Sequence, residues 1–326
     1  MVNFLLIRFS SIGDIVLTSP VIRCLKKQVD DSRLHYLTKK QYAPLLRANP
    51  YIDKIHTLDD NLGDVTGSLR QEKIDFIIDL HRNIRTSAVK FRLKRVAYNL
   101  DKLNLQKWMM VNLRVDRLPD RHIVDRNMDT VRTFDVTNDG EGLDFFIPEG
   151  EEVDRSILPE AFNDGFIALV IGAGHATKQL PPDKLKTLCG LLAQPVVLLG
   201  GPQDKMLGES ISAGFGPRIF NASGKFSINQ SASLIRQSRV VITPDTGLMH
   251  VAAAFRKKII SVWGNTIPGF GMQPYMPGEG SQIFEVKGLR CRPCSKIGFD
   301  RCPKHHFRCM IDLDVAAIAE KAGELY

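Results

Sequence analysis

The feature of this sequence that most constrains its fold is a regular alternation of short apolar runs with segments of helical periodicity. The apolar run Val2–Ile7 is followed by a Ser-Ser-Ile-Gly-Asp loop and then by residues 15–25, whose apolar side chains recur at helical spacing. Residues 74–80 form a continuous apolar run of the kind found in buried parallel strands. Because strands that alternate with helices build parallel sheets, we predict the α/β fold class.

The same alternation continues to the end of the chain. Further strands are predicted at residues 34–37, 54–58, 166–171, 196–199, 240–242 and 259–262. Further helices are predicted at residues 42–48, 87–93, 126–134, 182–192, 205–212, 228–236, 248–254 and 313–325. A charged, Pro-bearing stretch at residues 148–164 separates two such series and is predicted to be an interdomain linker.

Length and composition agree with two globular domains. The 326 residues exceed what one small core needs, and 44% hydrophobic with 25% charged residues excludes a disordered or fibrous chain. We expect an N-terminal domain at 1–155 and a C-terminal domain at 156–326, the latter with a Cys-rich segment at 291–309 and a terminal helix. Arg8 and Asp14 interrupt the N-terminal apolar run where a signal peptide would continue, so a cytoplasmic protein is expected.

Positive charge is concentrated in two stretches. The chain has a formal charge of +8, and residues 82–117 alone contain ten Lys and Arg against two Asp. Residues 287–308 contain seven Lys and Arg against one Asp. Such stretches favour anionic partners, namely phosphates, acidic lipid headgroups or nucleic acid, and the alternative is a solvated basic face.

A carboxylate follows the first predicted strand. In the loop at residues 10–14 (SSIGD), Gly13 permits a tight turn and Asp14 opens the next helix. Open α/β sheets bind ligands at the carboxyl ends of their strands, where Asp14 could act as a general base. The alternative is an acid favoured at a helix start by the helix dipole. The loop lacks G-x-G-x-x-G spacing, which counts against a dehydrogenase.

A second motif follows the predicted strand at residues 240–242. In residues 244–250 (PDTGLMH), Asp245 or Thr246 could cap a helix whose free N–H groups bind a phosphate. His250 lies one turn further, on the same face as Thr246. The alternative is a well-capped helix with a buried His.

A third motif, residues 172–178 (GAGHATK), follows the strand predicted at 166–171. Small residues, a hydroxyl and the point charge of Lys178 suit a diphosphate at a strand end. The alternative is an ordinary exposed Lys.

Together these motifs resemble those of the ADP-heptose:lipopolysaccharide heptosyltransferases, family nine of the glycosyltransferases. Four stretches carry the resemblance, which covers essentially the whole chain: LLIRFSSIGDIVLTSPVIRCLK at 5–26, DLHRNIRT at 79–86, the loop at 174–178, and VITPDTGLMHVAAAF at 241–255. The resemblance implies the GT-B fold, in which two Rossmann-like domains with parallel sheets face a central cleft.

The resemblance also implies roles for individual residues. Asp14 matches the catalytic base of the family. The residues that match its donor-binding motifs are Thr177, Lys178, Asp245, Thr246, Gly247 and His250. The residues expected to bind the acceptor are Ser11, Gly13, His81, Arg82 and Arg85.

The implied activity is inverting transfer of a heptose from ADP-heptose to a lipopolysaccharide-core acceptor, with no metal or other cofactor required for catalysis. Asp14 would take the proton of the acceptor hydroxyl, while Lys178 and a helix N-terminus stabilise the leaving diphosphate. Two alternatives remain: a related transferase for another nucleotide sugar, and a nucleic-acid-binding protein with a zinc knuckle. Few aromatic residues interleave the basic ones at 290–308, so nucleic acid is not expected as a partner.

The acceptor implied by the resemblance is an anionic glycolipid made at the inner face of the cytoplasmic membrane. We therefore expect residues 82–117 to make reversible, peripheral contact with that surface, because their charges flank an apolar group. The members of this group are Leu103, Leu105, Trp108, Met109, Met110, Val111 and Leu113. The alternative is that they pack against the N-terminal sheet.

Four of the six cysteines form a cluster, Cys291-x2-Cys294-x7-Cys302-x6-Cys309, with two His residues before the last. In a cytoplasmic protein such a cluster favours zinc over disulfides, although only the first pair has the usual zinc spacing. Structural zinc, reduced thiols and disulfides all stay open, and none of them gives the cluster a catalytic role. The remaining two, Cys24 and Cys189, are predicted to be buried small hydrophobes.

Overall fold

The computed structural model describes residues 1–59 and 61–326, and its contacts divide the chain into two compact units. Unit 1 comprises Met1–Lys102 and Arg121–Pro148, and unit 2 comprises Leu103–Asp120 and Glu149–Tyr326. The units differ from the predicted single cut between residues 155 and 156 because residues 103–120 group with unit 2.

Unit 1 is built on a five-stranded, wholly parallel sheet. Its strands are β1 (Val2–Ile7), β2 (Ser32–Lys39), β3 (Lys54–Leu58), β4 (Phe76–Asp79) and β5 (Val96–Asn99). They lie in the order β3-β2-β1-β4-β5, and Ile7 of β1 pairs with Asp79 of β4. The chain adds β2 and β3 on one side of β1 and then β4 and β5 on the other. The strand order therefore reverses between β1 and β4, at a topological switch point.

The helices of the first 148 residues are α1 (Ile12–Val16), α2 (Ser19–Gln28), α3 (Leu62–Gln71), α4 (Ile84–Leu93), α5 (Asn104–Leu113) and α6 (Ile123–Met128). All except α5 lie in unit 1. The core of unit 1 joins inward side chains of the sheet to those of α3 and α4, among them Leu5, Ile7, Leu37, Leu69, Ile77 and Val89. The strands are apolar on both faces because helices cover both, as expected of a parallel sheet.

Unit 2 repeats this plan with six parallel strands. They are β6 (Ile167–Val170), β7 (Val196–Leu199), β8 (Ile219–Asn221), β9 (Val240–Pro244), β10 (Lys258–Trp263) and β11 (Gln282–Glu285). Their order is β11-β10-β9-β6-β7-β8, so this sheet reverses between β6 and β9. The predicted parallel α/β architecture is confirmed in both units.

The helices of the rest of unit 2 are α7 (Pro182–Leu191), α8 (Lys205–Ser212), α9 (Ile228–Gln237), α10 (Gly247–Ala254), α11 (Arg308–Ile311) and α12 (Val315–Leu325). The predicted terminal helix is α12, whose first turn is capped by the Asp314 carboxylate at the N–H groups of Ala316 and Ala317. Within residues 1–59 and 61–326, no helix is both long and apolar enough to cross a membrane.

Several local predictions were wrong. The single helix predicted at 15–25 is two helices, α1 and α2, and Pro20 lies in the first turn of the second, where a missing N–H is tolerated. The helix predicted at 42–48 is a 3-10 turn at Lys40–Leu45 that contains Pro44. The linker predicted at 148–164 is built into unit 2, since Phe162 is buried there and the N–H of Val153 donates to Ser233.

Candidate functional site

The loop after β1 places Asp14 at the switch point of unit 1. The N–H and the hydroxyl of Ser11 both donate to Oδ2 of Asp14, at 3.1 and 2.9 Å. Asp14 is thus an acid in the first turn of α1, as the alternative interpretation held, but its side chain is still 26% exposed and accessible to a ligand. The tight turn predicted at Gly13 is wrong: Gly13 is a buried helical residue of α1, without a left-handed backbone.

Arg8 is the partner of Asp14 that the sequence interpretation missed. Its Nη2 lies 2.6 Å from Oδ1 of Asp14, and its Nε donates to the carbonyl oxygen of Ser10 at 2.8 Å. Its Nη1 donates to the carbonyl oxygen of Leu80, the residue that follows β4. Arg8 therefore ties the end of β1 to the end of β4 across the switch point. The sequence did contain a signal for this partner, since Arg8 is a lone cation directly after an apolar strand.

The surroundings of Asp14 keep its carboxylate ionised. Burial raises the pKa of Asp14, but the charge of Arg8 and the hydrogen bonds from Ser11 outweigh it and lower the pKa from 3.8 to about 2. At neutral pH Asp14 is therefore an acceptor for a hydrogen bond or a proton. Such a group has the geometry of a general base, although its low pKa makes it a weak one.

The loop after β4 is organised by the fully buried carboxylate of Asp79. It accepts the N–H groups of His81 at 3.1 Å and Arg82 at 2.6 Å, and it lies 2.7 Å from Nζ of Lys90. Burial and then the charge of Arg8 lower the pKa of His81 to about 4, so this imidazole is neutral at neutral pH. Its buried Nδ1 has no hydrogen-bond partner among the described residues.

The predicted acceptor residues are therefore not all brought together. His81 lies close enough to the Arg8–Asp14 pair that the charges of both residues act on its pKa. Arg82 instead donates to the carbonyl oxygen of Leu100 at 3.2 Å, and Arg85 is exposed on the first turn of α4. Neither guanidinium bonds to Asp14 in the part of the chain that the structure describes.

At the switch point of unit 2, residues from two separate motifs form an ion pair. Nζ of Lys178, from the loop after β6, lies 2.6 Å from Oδ2 of Asp245, which directly follows β9. The hydroxyl of Thr266 donates to the same oxygen at 2.9 Å. Lys178 is thus a largely buried cation held in one position, and the exposed surface Lys of the alternative interpretation is wrong.

Helix α10 begins beside this pair. Thr246 occupies the N-cap position without a side-chain capping bond, and Gly247 is the first helical residue. The N–H groups of the first turn have no partner within the helix, which makes this end of α10 an anion site by geometry. His250 is buried in the same turn, as the alternative for this motif predicted.

The turn that carries Lys178 is fixed by its neighbour Thr177. The Thr177 hydroxyl donates to the carbonyl oxygen of Phe299 at 3.0 Å and accepts the Phe299 N–H at 2.8 Å. The N–H of Thr177 also donates to that carbonyl oxygen, at 3.1 Å. Its polar groups are therefore used within unit 2, and Lys178 is the group that the turn presents.

The side chain of Asp204 is the reason that glycine is required in the loops after β6 and β7. Its buried carboxylate accepts the N–H of Gly201 at 2.8 Å. A Cβ added to Gly172 would lie 2.0 Å from Oδ2 of Asp204, and one added to Gly200 would lie 2.8 Å from the Asp204 Cβ. The side chain of Asp204 is therefore what requires glycine at these positions.

The cysteine cluster consists of free thiols. All six cysteines are unpaired in the structure, so the disulfide alternative is not realised. Sγ of Cys291 lies 3.7 Å from Nε2 of His306, and burial raises the pKa of Cys294 to about 11 and that of Cys309 to about 12. Among the described residues, no three His, Cys, Asp or Glu side chains are grouped as metal ligands, and the zinc prediction gains no support from the structure.

Comparison with known proteins gives consistent matches. The model of glycosyltransferase family 9 (heptosyltransferase) matches residues 63–298. The lipooligosaccharide heptosyltransferase 2 of Haemophilus influenzae is 23% identical over 99% of this chain and 99% of its own length. The lipopolysaccharide heptosyltransferase 1 of Campylobacter coli is 24% identical over 80% of this chain and 83% of its own.

Solved structures agree on the fold. A family 9 glycosyl transferase from Veillonella parvula superposes with a TM-score of 0.76 at 19% identity, covering 99% of this chain and 96% of that one. The Escherichia coli ADP-heptose lps heptosyltransferase II has a TM-score of 0.74 at 19% identity, covering 99% and 98%. The predicted GT-B fold is confirmed.

Removing the charge of Arg8 is expected to raise the pKa of Asp14, because burial then acts without the opposing guanidinium. In Arg8→Met the carboxyl carbon of Asp14, followed by NMR against pH, should titrate clearly above the parent value of about 2, while the hydrogen bonds from Ser11 still lower the pKa. The folded-state pKa is the lower one, so Asp14 stabilises the native state above pH 3.8 and this stabilisation is lost as pH falls towards 2. Arg8→Lys, which keeps the charge, is the control. An unchanged titration in Arg8→Met would show that Arg8 does not set this pKa.

Proposed function

The chain belongs to glycosyltransferase family 9, the heptosyltransferases, and on that premise we propose that it transfers a heptose from ADP-heptose to the core of lipopolysaccharide. The observation that carries the proposal is the ionised, partly exposed carboxylate of Asp14 at the switch point of unit 1. The named relatives, which are lipopolysaccharide and lipooligosaccharide heptosyltransferases, support the choice of donor sugar and acceptor. Family membership also favours this function over the nucleic-acid-binding alternative.

In the proposed reaction, Asp14 is the general base. The acceptor hydroxyl attacks the anomeric carbon of the heptose from the face opposite the diphosphate, so the configuration inverts. The new C–O bond forms as the bond to the diphosphate oxygen breaks, and the hydroxyl proton passes to Asp14. Because the pKa of Asp14 is low, we expect the proton to move late, when bond formation has made the hydroxyl acidic. Arg8 and Ser11 hold the carboxylate in place during this step.

Unit 2 supplies the proposed donor site. The Lys178 ammonium group has three hydrogens, and its contact with Asp245 leaves hydrogens for the oxygens of the diphosphate. The start of α10, at Gly247, adds backbone N–H groups and the positive end of a helix dipole. Lys178 and Thr266 both contact Oδ2 of Asp245, so Oδ1 can accept a hydrogen bond from a hydroxyl of the nucleotide sugar. In this proposal these groups stabilise the leaving diphosphate, and no metal cofactor is invoked.

Asp14→Asn is expected to reduce transfer by about 10²–10⁴-fold while ADP binding is retained, because an amide keeps the loop geometry but cannot take the acceptor proton. The measurement is heptose transfer from ADP-heptose, with ADP affinity determined in parallel. Asp53→Asn is a matched control: Asp53 also makes an ion pair and accepts a backbone N–H, but it precedes β3 and so lies at the edge of the parallel sheet opposite to Asp14. Turnover of Asp14→Asn within a few-fold of the parent would eliminate Asp14 as the base.

Lys178→Ala is expected to weaken ADP binding by about 1–3 kcal/mol, because a charge-assisted bond to the diphosphate is lost. Calorimetric titration with ADP measures the change, and Lys186→Ala, an exposed Lys of α7, is the control. Asp245→Asn separates the roles of the pair: it keeps Lys178 charged while removing the carboxylate. If ADP affinity is unchanged in Lys178→Ala and only thermal stability falls, the ion pair is structural.

We further propose peripheral contact of this cytoplasmic enzyme with the inner membrane surface, where the anionic glycolipid acceptor is made. Ile84 and Phe91, two turns apart on one face of α4, are 89% and 79% exposed. Residues 84–96 contain five Lys and Arg and no Asp or Glu. Exposed apolar side chains surrounded by cations are typical of a surface that docks on anionic lipid.

Exposed side chains of each unit, taken separately, support the same proposal. The exposed cations of α4 and the residues after it have no carboxylate within ion-pair distance among the described residues; they are Arg85, Arg92, Lys94 and Arg95. The predicted apolar group at α5, which belongs to unit 2, is partly open: Leu105, Trp108 and Leu113 are 66%, 52% and 56% exposed, whereas Leu103 is buried. The exposed members are not part of a core, which disfavours the alternative of packing against the N-terminal sheet.

Binding to anionic vesicles at low salt should be lost in the triple variant Arg92→Glu, Lys94→Glu, Arg95→Glu, because each cation near such a surface contributes about 1 kcal/mol. Co-sedimentation at low and high salt measures it. The control reverses three exposed charges away from α4, as Lys40→Glu, Arg47→Glu, Lys186→Glu. Phe91→Ser should weaken binding at both salt concentrations. If vesicle binding changes neither with salt nor in the α4 variants, the exposed face of α4 is an ordinary solvated surface.

A further inference from the structure

A second anion site is suggested by a cavity that the proposed reaction does not use. The cavity has a volume of about 590 Å³ and lies in unit 2, between the residue after α5 and the Cys-rich segment. Its polar lining residues are Arg114, Arg290, Cys291, Lys304, His306 and Arg308. The lining therefore contains four permanent cations and one imidazole, and no carboxylate.

Arg114 is held firmly at one wall of this cavity. Its Nε, Nη2 and Nη1 donate to the carbonyl oxygens of Arg290, Cys291 and Pro293 at 3.2, 3.1 and 2.8 Å. Nη1 also donates to the carbonyl oxygen of Met110 at 3.3 Å, at the end of α5. Nη2 has two hydrogens and one acceptor among the described residues, so one hydrogen is left for a ligand. The guanidinium is thus oriented before any ligand arrives.

The other cations are only partly neutralised. Arg308 pairs with Asp312 through Nε alone, at 2.7 Å, which leaves both of its terminal nitrogens. Arg290 and Lys304 are exposed and have no carboxylate within ion-pair distance in the described ranges. Nδ1 of His306 accepts the N–H of Arg308 at 3.1 Å, and its Nε2 lies 3.7 Å from Sγ of Cys291, so both ring nitrogens already have a partner. The hydrogens that remain for an anion are those of Arg114, Arg290, Lys304 and Arg308.

The charges of Arg290 and Lys304 have no structural explanation among the described residues, unlike those of Arg114 and Arg308. Like charges around one cavity repel each other, and no internal acid offsets that cost at Arg290 or Lys304. Arginine is the residue suited to bidentate recognition of phosphate oxygens, and three arginines line this one cavity. The volume exceeds that of a single phosphate group and falls in the range of small-molecule sites, roughly 300–1,000 Å³.

We propose that this cavity binds a small, multiply charged phosphate-bearing anion at a site separate from the Lys178–Asp245 pair. The loop at residues 290–294 links the two places. Arg290 and Cys291 line the cavity. Arg292 donates to the carbonyl oxygen of Thr266 at 2.7 Å, and Thr266 is the residue whose hydroxyl donates to Asp245. The phosphate groups can come from a phosphorylated saccharide or from free polyphosphate, which share this chemistry.

The test is calorimetric titration of the full chain with two probes, inorganic pyrophosphate and glucose 1,6-bisphosphate, in the presence of saturating ADP. At least one probe is expected to bind, and Arg290→Glu with Lys304→Glu should weaken that binding by about tenfold to a hundredfold. The control, Lys287→Glu with Lys296→Glu, makes the same charge change on exposed residues outside the cavity. The titration is repeated in Lys178→Ala without ADP. Unchanged probe binding is expected there, because the site is separate from the donor diphosphate site.

The relative affinities of the probes identify the source of the phosphate. Tighter binding of the sugar bisphosphate points to a phosphorylated saccharide, and tighter binding of pyrophosphate points to free polyphosphate. ADP binding should be unchanged in the cavity variant. The proposal is overturned if neither probe binds while ADP is present, or if the cavity variant and its control weaken binding equally. Because ADP affinity is measured separately, either result is distinguishable from a failure of the proposed transferase function.

Discussion

The constraint on which the rest of this structure depends is the reversal of strand order in each parallel sheet. At a reversal, the loops leaving two adjacent strands run to opposite faces, so the carboxyl ends of those strands are not covered by their own connections. In unit 1 the uncovered ends are those of β1 and β4, and in unit 2 those of β6 and β9. In both units an ion pair occupies that place, Arg8 with Asp14 and Lys178 with Asp245. Polar groups can cluster there because the apolar sheet stops short of it.

Much of the fold could be predicted from the sequence, because the central strands of both sheets are short, mostly apolar runs. The loops that carry Asp14 and Lys178 were identified for the same reason. The pairing of side chains could not be predicted in this way. Lys178 meets Asp245 only because β6 lies beside β9, and Arg8 reaches Leu80 only because β1 lies beside β4. These neighbour relations follow from sheet order, which local periodicity does not contain.

The elements that were missed have little or no core face. Helix α5 buries no side chain, so its apolar residues show no periodic stripe to recognise. Helix α3 contains two glycines and buries only Val65, Thr66 and Leu69. The role of Asp204 was hidden for a different reason: it acts on the backbone of Gly172, 32 residues earlier in the chain, through close approach. Steric requirements of this kind are read only from coordinates.

The bonds between Thr177 and Phe299 have a consequence for how sequences of this kind can be recombined. Three hydrogen bonds join the turn before Lys178 to a segment that lies 122 positions later and has no helix or strand around it. A chimera with a crossover between these positions would combine a turn from one parent with a supporting segment from another. The two stretches therefore form one exchangeable module despite their separation, and a graft of the turn that carries Lys178 has to include both.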